Sequence, residues 1–212
     1  MLKRIIQAIS LTFENAESLF EDATILKENA KFGRAYSLFH LSFEESGRFY
    51  ILYNMLMDYL TGEIKAKDIN YGKLKKLGYE DHNLKIEESY EGMQKIAMIL
   101  LMIARDQTND TKLKEEIEKE IDGVFDAVEE LRKSTSDLNE LKNVGLYVTF
   151  KNNEFRLPDK TITVAQFIEI EKLAKLSLGF LRKVMEFAES KGGFSEFERL
   201  IKEETENLKN NE

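Results

Sequence analysis

The sequence predicts an all-α fold, a helical bundle of five or six helices with a small β-hairpin-like insertion near residues 144–158. Apolar residues recur at helical spacing along most of the chain, and strand-like alternation is confined to one short stretch. Pro158, the single proline, lies in that stretch, so proline interrupts no long periodic segment. With 212 residues and 42% hydrophobic content, the chain is large enough for one sizeable core. We therefore expect one helical domain over residues 1–212.

The first four helices are predicted from apolar stripes and their stop signals. The first covers about residues 2–29, and the second covers about 31–60 and stops at Thr61-Gly62, since glycine favours helix ends. A linker with a short helical turn, residues 65–81, leads to a third helix over about 82–105. A fourth covers about 112–133, and the segment around Glu140 is expected to be a loop.

The C-terminal third contains the hairpin and the last helices. The segment 146–150 is rich in β-prone residues, Asn152-Asn153 is turn-like, and the segment 155–157 can pair back. Thr163 is expected to cap a long helix that ends near residue 191, before a glycine pair. Residues 193–212 are expected to form a short terminal helix or a frayed tail.

Composition excludes several classes of function. The net charge of −8 opposes the approach to phosphates that non-specific DNA binding requires, so we expect no DNA partner. The absence of cysteine excludes disulfides and thiol nucleophiles, and fits a cytoplasmic protein. The longest apolar run, residues 96–104, is shorter than the roughly 20 residues of a membrane span. Common nucleotide, hydride and hydrolase motifs are missing, and no di-metal pattern is complete, so we expect neither cofactor nor metal.

A charged cluster inside an apolar helix is the most informative feature of the sequence. The run LFHLSFEESGRFYIL, residues 38–52, has apolar residues on nearly all sides of the predicted helix. Such a helix is central to a bundle or shared with a second subunit, and a glycine lets another backbone approach closely. An exposed second apolar face would favour aggregation. We therefore expect a homodimer through the face formed by His40, Glu44, Gly47, Ile51 and Met55.

Buried carboxylates in this cluster need cationic or hydrogen-bonding partners, and Arg48 is the nearest in sequence. A second set of polar residues begins the third predicted helix, where an accessible histidine can be tuned by its neighbours. One interpretation is a polar pocket that binds an RNA, a nucleotide or a partner peptide. The alternative is a structural ion pair between Glu45 and Lys85, with His82 as the helix cap. The residues concerned are Glu44, Glu45, Arg48, Asp81, His82 and Lys85.

Four segments, in this order, resemble AbiV-type abortive infection proteins. They are ENAESLFEDATILKENAKFGRAYSLFH, the EESGR of the cluster, DHNLK at residues 81–85, and GLYVTF at 145–150 followed by a proline. The resemblance covers about residues 13–174. Two positions depart from the family pattern, because Arg48 stands where lysine is usual and Thr149 where an acid is common. The resemblance implies a HEPN-like helical fold.

The resemblance also implies phage defence by an intracellular protein that a phage-encoded component triggers and that then arrests the infected cell. We expect it to block translation through protein or ribonucleoprotein binding. The alternative is a metal-independent HEPN-type ribonuclease, since that superfamily uses an R-x4-6-H motif and works as dimers. Arg34 and His40 fit the spacing, but in one helix they lie about 120° and ~9 Å apart. The catalytic residues therefore stay unknown, with Arg34, His40 and His82 as candidates.

Overall fold

The computed structural model describes residues 2–134, 138–151, 153–190, 192–194, 196 and 199. The chain is helical along most of this part, which confirms the all-α fold class. The helices are α1 (Leu2–Glu28), α2 (Phe32–Leu60), α3 (Tyr71–Lys76), α4 (His82–Gln107), α5 (Thr111–Ser134), α6 (Leu138–Val144) and α7 (Val164–Ser190). The strands are β1 (Thr149–Lys151) and β2 (Glu154–Arg156), and 3-10 turns cover Ala66–Asp68 and Pro158–Lys160. None of the described helices is long and apolar enough to cross a membrane.

The five long helices agree with the sequence prediction to within a few residues. The helix α6 was not predicted, and it corrects the expectation of a loop around Glu140. It is only 7 residues long, which is too short for a periodic pattern, and its position depends on tertiary packing of the buried Leu138. Most of the predicted terminal segment 193–212 lies outside the described residues.

The helix α2 is the centre of the bundle, with α1, α4, α6 and α7 packed around it. Its apolar residues divide between two core clusters, one around Phe49 and Leu52 and the other around Phe39 and Phe43. The Phe39 ring packs edge-on against Phe20 of α1 at a centroid distance of 5.0 Å. A helix that is apolar on nearly all sides is buried on nearly all sides, so α2 carries the charged cluster into the interior.

The helices α2 and α4 approach each other closely at Gly47. A Cβ atom at Gly47 would lie 1.7 Å from the carbonyl oxygen of Lys85, so no larger residue fits without a backbone shift. The Ser89 hydroxyl of α4 reinforces the contact by donating to the Phe43 carbonyl oxygen at 2.7 Å. The predicted close backbone approach at Gly47 is confirmed, but the approaching backbone belongs to the same chain.

This packing corrects the predicted homodimer face. All five of its residues are buried inside the protomer, so the face is not available to a second copy. The helical pattern indicates that a face must be covered, but it does not say whether another helix or another subunit covers it. The face residues are His40, Glu44, Gly47, Ile51 and Met55.

The predicted hairpin near residues 144–158 is present, with an unusual orientation. The strands β1 and β2 are antiparallel, with Phe150 opposite Phe155 and Thr149 opposite Arg156. The two phenylalanine rings pack together at a centroid distance of 4.9 Å, yet their exposed fractions are 61% and 79%. Because alternate residues share a face, the hairpin directs an apolar face to solvent. Thr149 lies on the other face, with its hydroxyl 3.5 Å from that of Thr161.

Candidate functional site

A buried carboxylate organises the polar residues of the interior. Glu44 is 1% exposed, and its Oε2 lies 2.5 Å from His82 Nδ1 and 3.1 Å from Lys85 Nζ. Its Oε1 accepts a hydrogen bond from Lys142 Nζ at 2.8 Å. His40 completes the group, with Nδ1 3.2 Å from Oε1. We call these five residues, from α2, α4 and α6, the Glu44 cluster.

The start of α4 places two members of the cluster. Asp81 is the N-cap, and its Oδ1 accepts hydrogen bonds from the backbone N–H groups of Asn83 and Leu84. With the helix start fixed there, His82 and Lys85 are three residues apart and lie on one face. The sequence interpretation of Asp81-His82 as a helix start is confirmed, but the cap is Asp81 and not His82.

The helix α6 supplies Lys142, which sequence reasoning missed. The Ser37 hydroxyl of α2 donates to the Lys142 carbonyl oxygen at 2.7 Å. At the end of α6, a Cβ on Gly145 would lie 2.5 Å from the Gly33 carbonyl oxygen, so this contact requires a glycine. Together these contacts hold α6 on the first turns of α2 and direct Lys142 toward Glu44. Its polar surroundings in the sequence resemble a loop, and no local pattern indicates a buried lysine.

The electrostatics of Glu44 show a fully engaged carboxylate. Burial raises its pKa, but the contacts with His40, Lys142 and His82 outweigh burial and hold the pKa of Glu44 well below its usual range. The group is therefore ionised at neutral pH. Hydrogen bonds and positive charge that favour the charged form have this effect on a carboxyl group.

His40 is a neutral member of the cluster. Burial lowers the pKa of His40, while its contact with Glu44 acts in the opposite direction and does not fully compensate. The Nδ1–Glu44 pair is close but lacks hydrogen-bond geometry, and both ring nitrogens are without a hydrogen-bond partner among the described residues. Arg34, its partner in the R-x5-H pattern, is exposed, whereas His40 is completely buried. The described structure does not bring these two residues together as a site.

Glu45 and Arg48 form a separate pair beside the cluster. Glu45 Oε1 lies 2.5 Å from Arg48 Nη1, and the guanidinium lies over the Tyr79 ring at 5.0 Å. The predicted ion pair between Glu45 and Lys85 is therefore wrong, because Lys85 contacts Glu44 instead. Adjacent residues of a helix point about 100° apart, so the two glutamates serve different partners. The six predicted pocket residues lie around one helix start but do not form one network.

His82 is the point at which the Glu44 cluster reaches solvent. Its side chain is 53% exposed, whereas those of Lys85 and Lys142 are 3% and 8% exposed. In the 2.5 Å contact Nδ1 donates to the carboxylate of Glu44, which leaves Nε2 for a ligand. An imidazole held in this way can exchange a proton with a ligand or hydrogen-bond to it. Among the described residues, no three or more His, Cys, Asp or Glu side chains are grouped so that they could hold a metal ion.

Comparison with known proteins gives one match. The family model HEPN_AbiV, described as AbiV, matches residues 4–179. The chain belongs to the AbiV family. No curated protein and no solved structure gives a match. The matched range includes the whole Glu44 cluster and the hairpin, and membership assigns the chain an abortive-infection role in phage defence with a HEPN-type helical fold.

Proposed function

We propose that this AbiV protein, once triggered by a phage-encoded protein, arrests the infected cell by binding a protein or ribonucleoprotein of the translation machinery. The contact surface is the mouth of the Glu44 cluster, which we define as the solvent-facing side of His82 with Lys142 behind it. Family membership supports the phage-defence role, and the site supports the binding step. In this proposal the protein acts in the cytoplasm, where phage mRNA is translated.

One observation carries the proposal, namely that the buried cluster opens at an exposed histidine. A purely structural ion pair has no need of an exposed member, whereas His82 combines 53% side-chain exposure with a direct contact to Glu44. A side chain that is held by a buried contact on one side and exposed to solvent on the other is pre-organised for a ligand. Pre-organisation reduces the entropy lost on binding. Removal of the Nε2 side of His82 should therefore affect partner binding and leave the fold intact.

The second candidate function is a triggered ribonuclease, and the contact between His82 Nδ1 and Glu44 Oε2 favours it. A carboxylate 2.5 Å from Nδ1 orients an imidazole so that Nε2 can act as a general base toward a ribose 2′-hydroxyl. In this alternative, His82 replaces the R-x5-H pair, whose histidine is buried. The negative net charge of −8 and the separation of Arg34 from His40 favour binding without cleavage.

The test combines phage plating with RNA analysis. The variant His82→Asn retains an amide donor close to the position of Nδ1 and removes Nε2, while Lys85→Ala removes a cluster cation. The matched control Lys95→Ala removes a lysine that is exposed on the same helix. We expect His82→Asn and Lys85→Ala to lose phage protection and capture of translation components together, and Lys95→Ala to retain both. Purified protein, with or without the phage trigger, should leave RNA intact.

Cleavage of RNA by the purified protein would favour the ribonuclease over the binding protein. Triggered protein that cuts RNA without added metal, and loses this activity in His82→Asn while its melting temperature is unchanged, would replace the binding proposal with the ribonuclease. Full phage protection by both cluster variants would exclude the site from either function. Pairing with a second copy stays a prediction, and it now concerns a face other than the one inside the protomer.

A further inference from the structure

The Glu44 cluster contains more positive than negative charge. Two lysine ammonium groups, Lys85 and Lys142, each contact a single carboxylate, that of Glu44, at 3.1 and 2.8 Å. Both lysine side chains are almost completely buried. A buried charge without a counter-charge is costly, because the interior does not replace the hydration that the ion loses. The cluster therefore favours the entry of an anion.

The neighbouring acids do not supply the missing charge. Glu45 is engaged by Arg48, and Asp81 Oδ1 accepts from two backbone N–H groups at the start of α4. In the part of the chain that the structure describes, no carboxylate besides Glu44 lies within 4.0 Å of either lysine ammonium. Each nearby carboxylate thus has another role, and one positive charge is left over.

The histidines point to the same conclusion in different ways. His40 is nine-tenths or more buried and faces the cluster, yet neither ring nitrogen has a hydrogen-bond partner among the described residues. An imidazole is either neutral or cationic, so His40 does not balance the positive charge of the second lysine. His82 leaves the cluster open to solvent, and its Nδ1 lies 3.3 Å from Lys142 Nζ, so an entering anion meets the imidazole and the ammonium together.

We propose that the mouth of the Glu44 cluster binds a phosphate oxyanion, with Lys142 as the main electrostatic partner and His82 at the rim. The inference rests on the proposed function and names the ligand class of the same site. A phosphate group suits the mouth because it offers several acceptor oxygens to adjacent donors, as in other charge-assisted contacts. The phosphate is either free or part of an RNA backbone, and the experiment separates these sources.

The experiment is a titration of the full-length protein with inorganic phosphate at constant ionic strength and pH, followed by NMR of the histidine rings. The chain has only two histidines, so the signals of exposed His82 are assigned as those that the variant His82→Asn lacks. We expect saturable shifts of the His82 signals. The variant Lys142→Met should weaken phosphate binding at least tenfold, and it keeps Glu44 paired with Lys85. The control Lys95→Met should bind like wild type.

Two further arms identify the source and the class of the ligand. A short single-stranded RNA that displaces phosphate from His82 supports a phosphodiester ligand, and failure to displace it supports free phosphate. Acetate is the control for any carboxylate, and acetate binding as tight as phosphate would overturn the phosphate assignment. Unchanged His82 signals at tens of millimolar phosphate would overturn the site, as would equal affinity in Lys142→Met.

Phage plating of Lys142→Met separates this inference from the proposed function. Phosphate binding that is lost in this variant, together with unchanged phage protection, would support the phosphate site and contradict its role in arrest. If Lys142→Met loses phage protection but the wild type does not bind phosphate, the site has a role in arrest and the phosphate assignment is wrong. Loss of both supports both.

Discussion

The Glu44 cluster and the β-hairpin invert the usual distribution of polar and apolar side chains in opposite ways. In the cluster, charged groups are buried at the junction of α2, α4 and α6, while the hairpin directs Phe150 and Phe155 to solvent. Buried charges require partners at short distance, and the contacts of Glu44 with His82, Lys85 and Lys142 join α2 to α4 and α6. Exposed rings require nothing from the rest of the chain. The fold should therefore depend strongly on the cluster and weakly on the hairpin.

The largest expected effect on stability is that of Glu44→Ala, which tests directly whether the fold depends on the Glu44 cluster. The variant leaves Lys85 and Lys142 without their carboxylate in a buried site, so we expect a loss of about 3–5 kcal/mol in the free energy of unfolding. The matched control is Glu140→Ala, which removes an exposed glutamate from α6 and should change stability by less than about 0.5 kcal/mol. Urea unfolding followed by circular dichroism measures both. Similar midpoints for the two variants would show that the fold does not depend on the cluster.

An intermediate effect is expected from pH, because the cluster titrates and the apolar hairpin face does not. The pKa of His40 is lowered in the fold by burial, so the unfolded chain binds the proton more readily. The stability contributed by neutral His40 is present above its ordinary pKa of 6.5 and is lost as pH falls below it. Glu44, whose pKa is also lowered, adds a further loss below 4.5. Both groups thus make acid destabilising.

The slope of the unfolding free energy against pH, between pH 7 and 5, measures the contribution of His40 to stability. One proton gives at most about 1.4 kcal/mol per pH unit, and the charges that face His40, on Glu44, Lys142 and His82, determine how much of it is realised. The variant His40→Gln should unfold with a flatter dependence of its free energy on pH in this range. Equal slopes in wild type and variant, from denaturant titrations at several pH values, would contradict a neutral buried His40.

The same comparison shows how much of the molecule was predictable. The long helices and the hairpin follow from local patterns, namely helical spacing of apolar residues and short alternation beside turn residues. The hairpin orientation does not follow, because alternation separates two faces without saying which one faces the core. For α2, the pattern required every side to be covered but did not identify α4 as the cover at Gly47.

The site was only partly predictable for a related reason. Glu44, His82 and Lys85 were recognised as polar residues at buried or helix-start positions, yet the pairing of Lys85 with Glu44 in place of Glu45 depends on the rotation of α4 against α2. Lys142 is 98 residues from Glu44 in sequence and lies in a helix of 7 residues. A contact of this range is determined by tertiary packing, and no local signal precedes it.

The smallest expected effect is that of Phe155→Ala in the hairpin. The ring is 79% exposed and packs on Phe150, so its loss should cost about 0.5 kcal/mol, which is typical of a cross-strand pair. The matched control Phe39→Ala removes a fully buried ring next to Phe20 and should cost about 3–5 kcal/mol. Thermal and urea unfolding of both variants give the ratio. A loss for Phe155→Ala as large as that for Phe39→Ala would mean that the hairpin ring is covered in solution, and the contrast between a structural cluster and a peripheral hairpin would then fail.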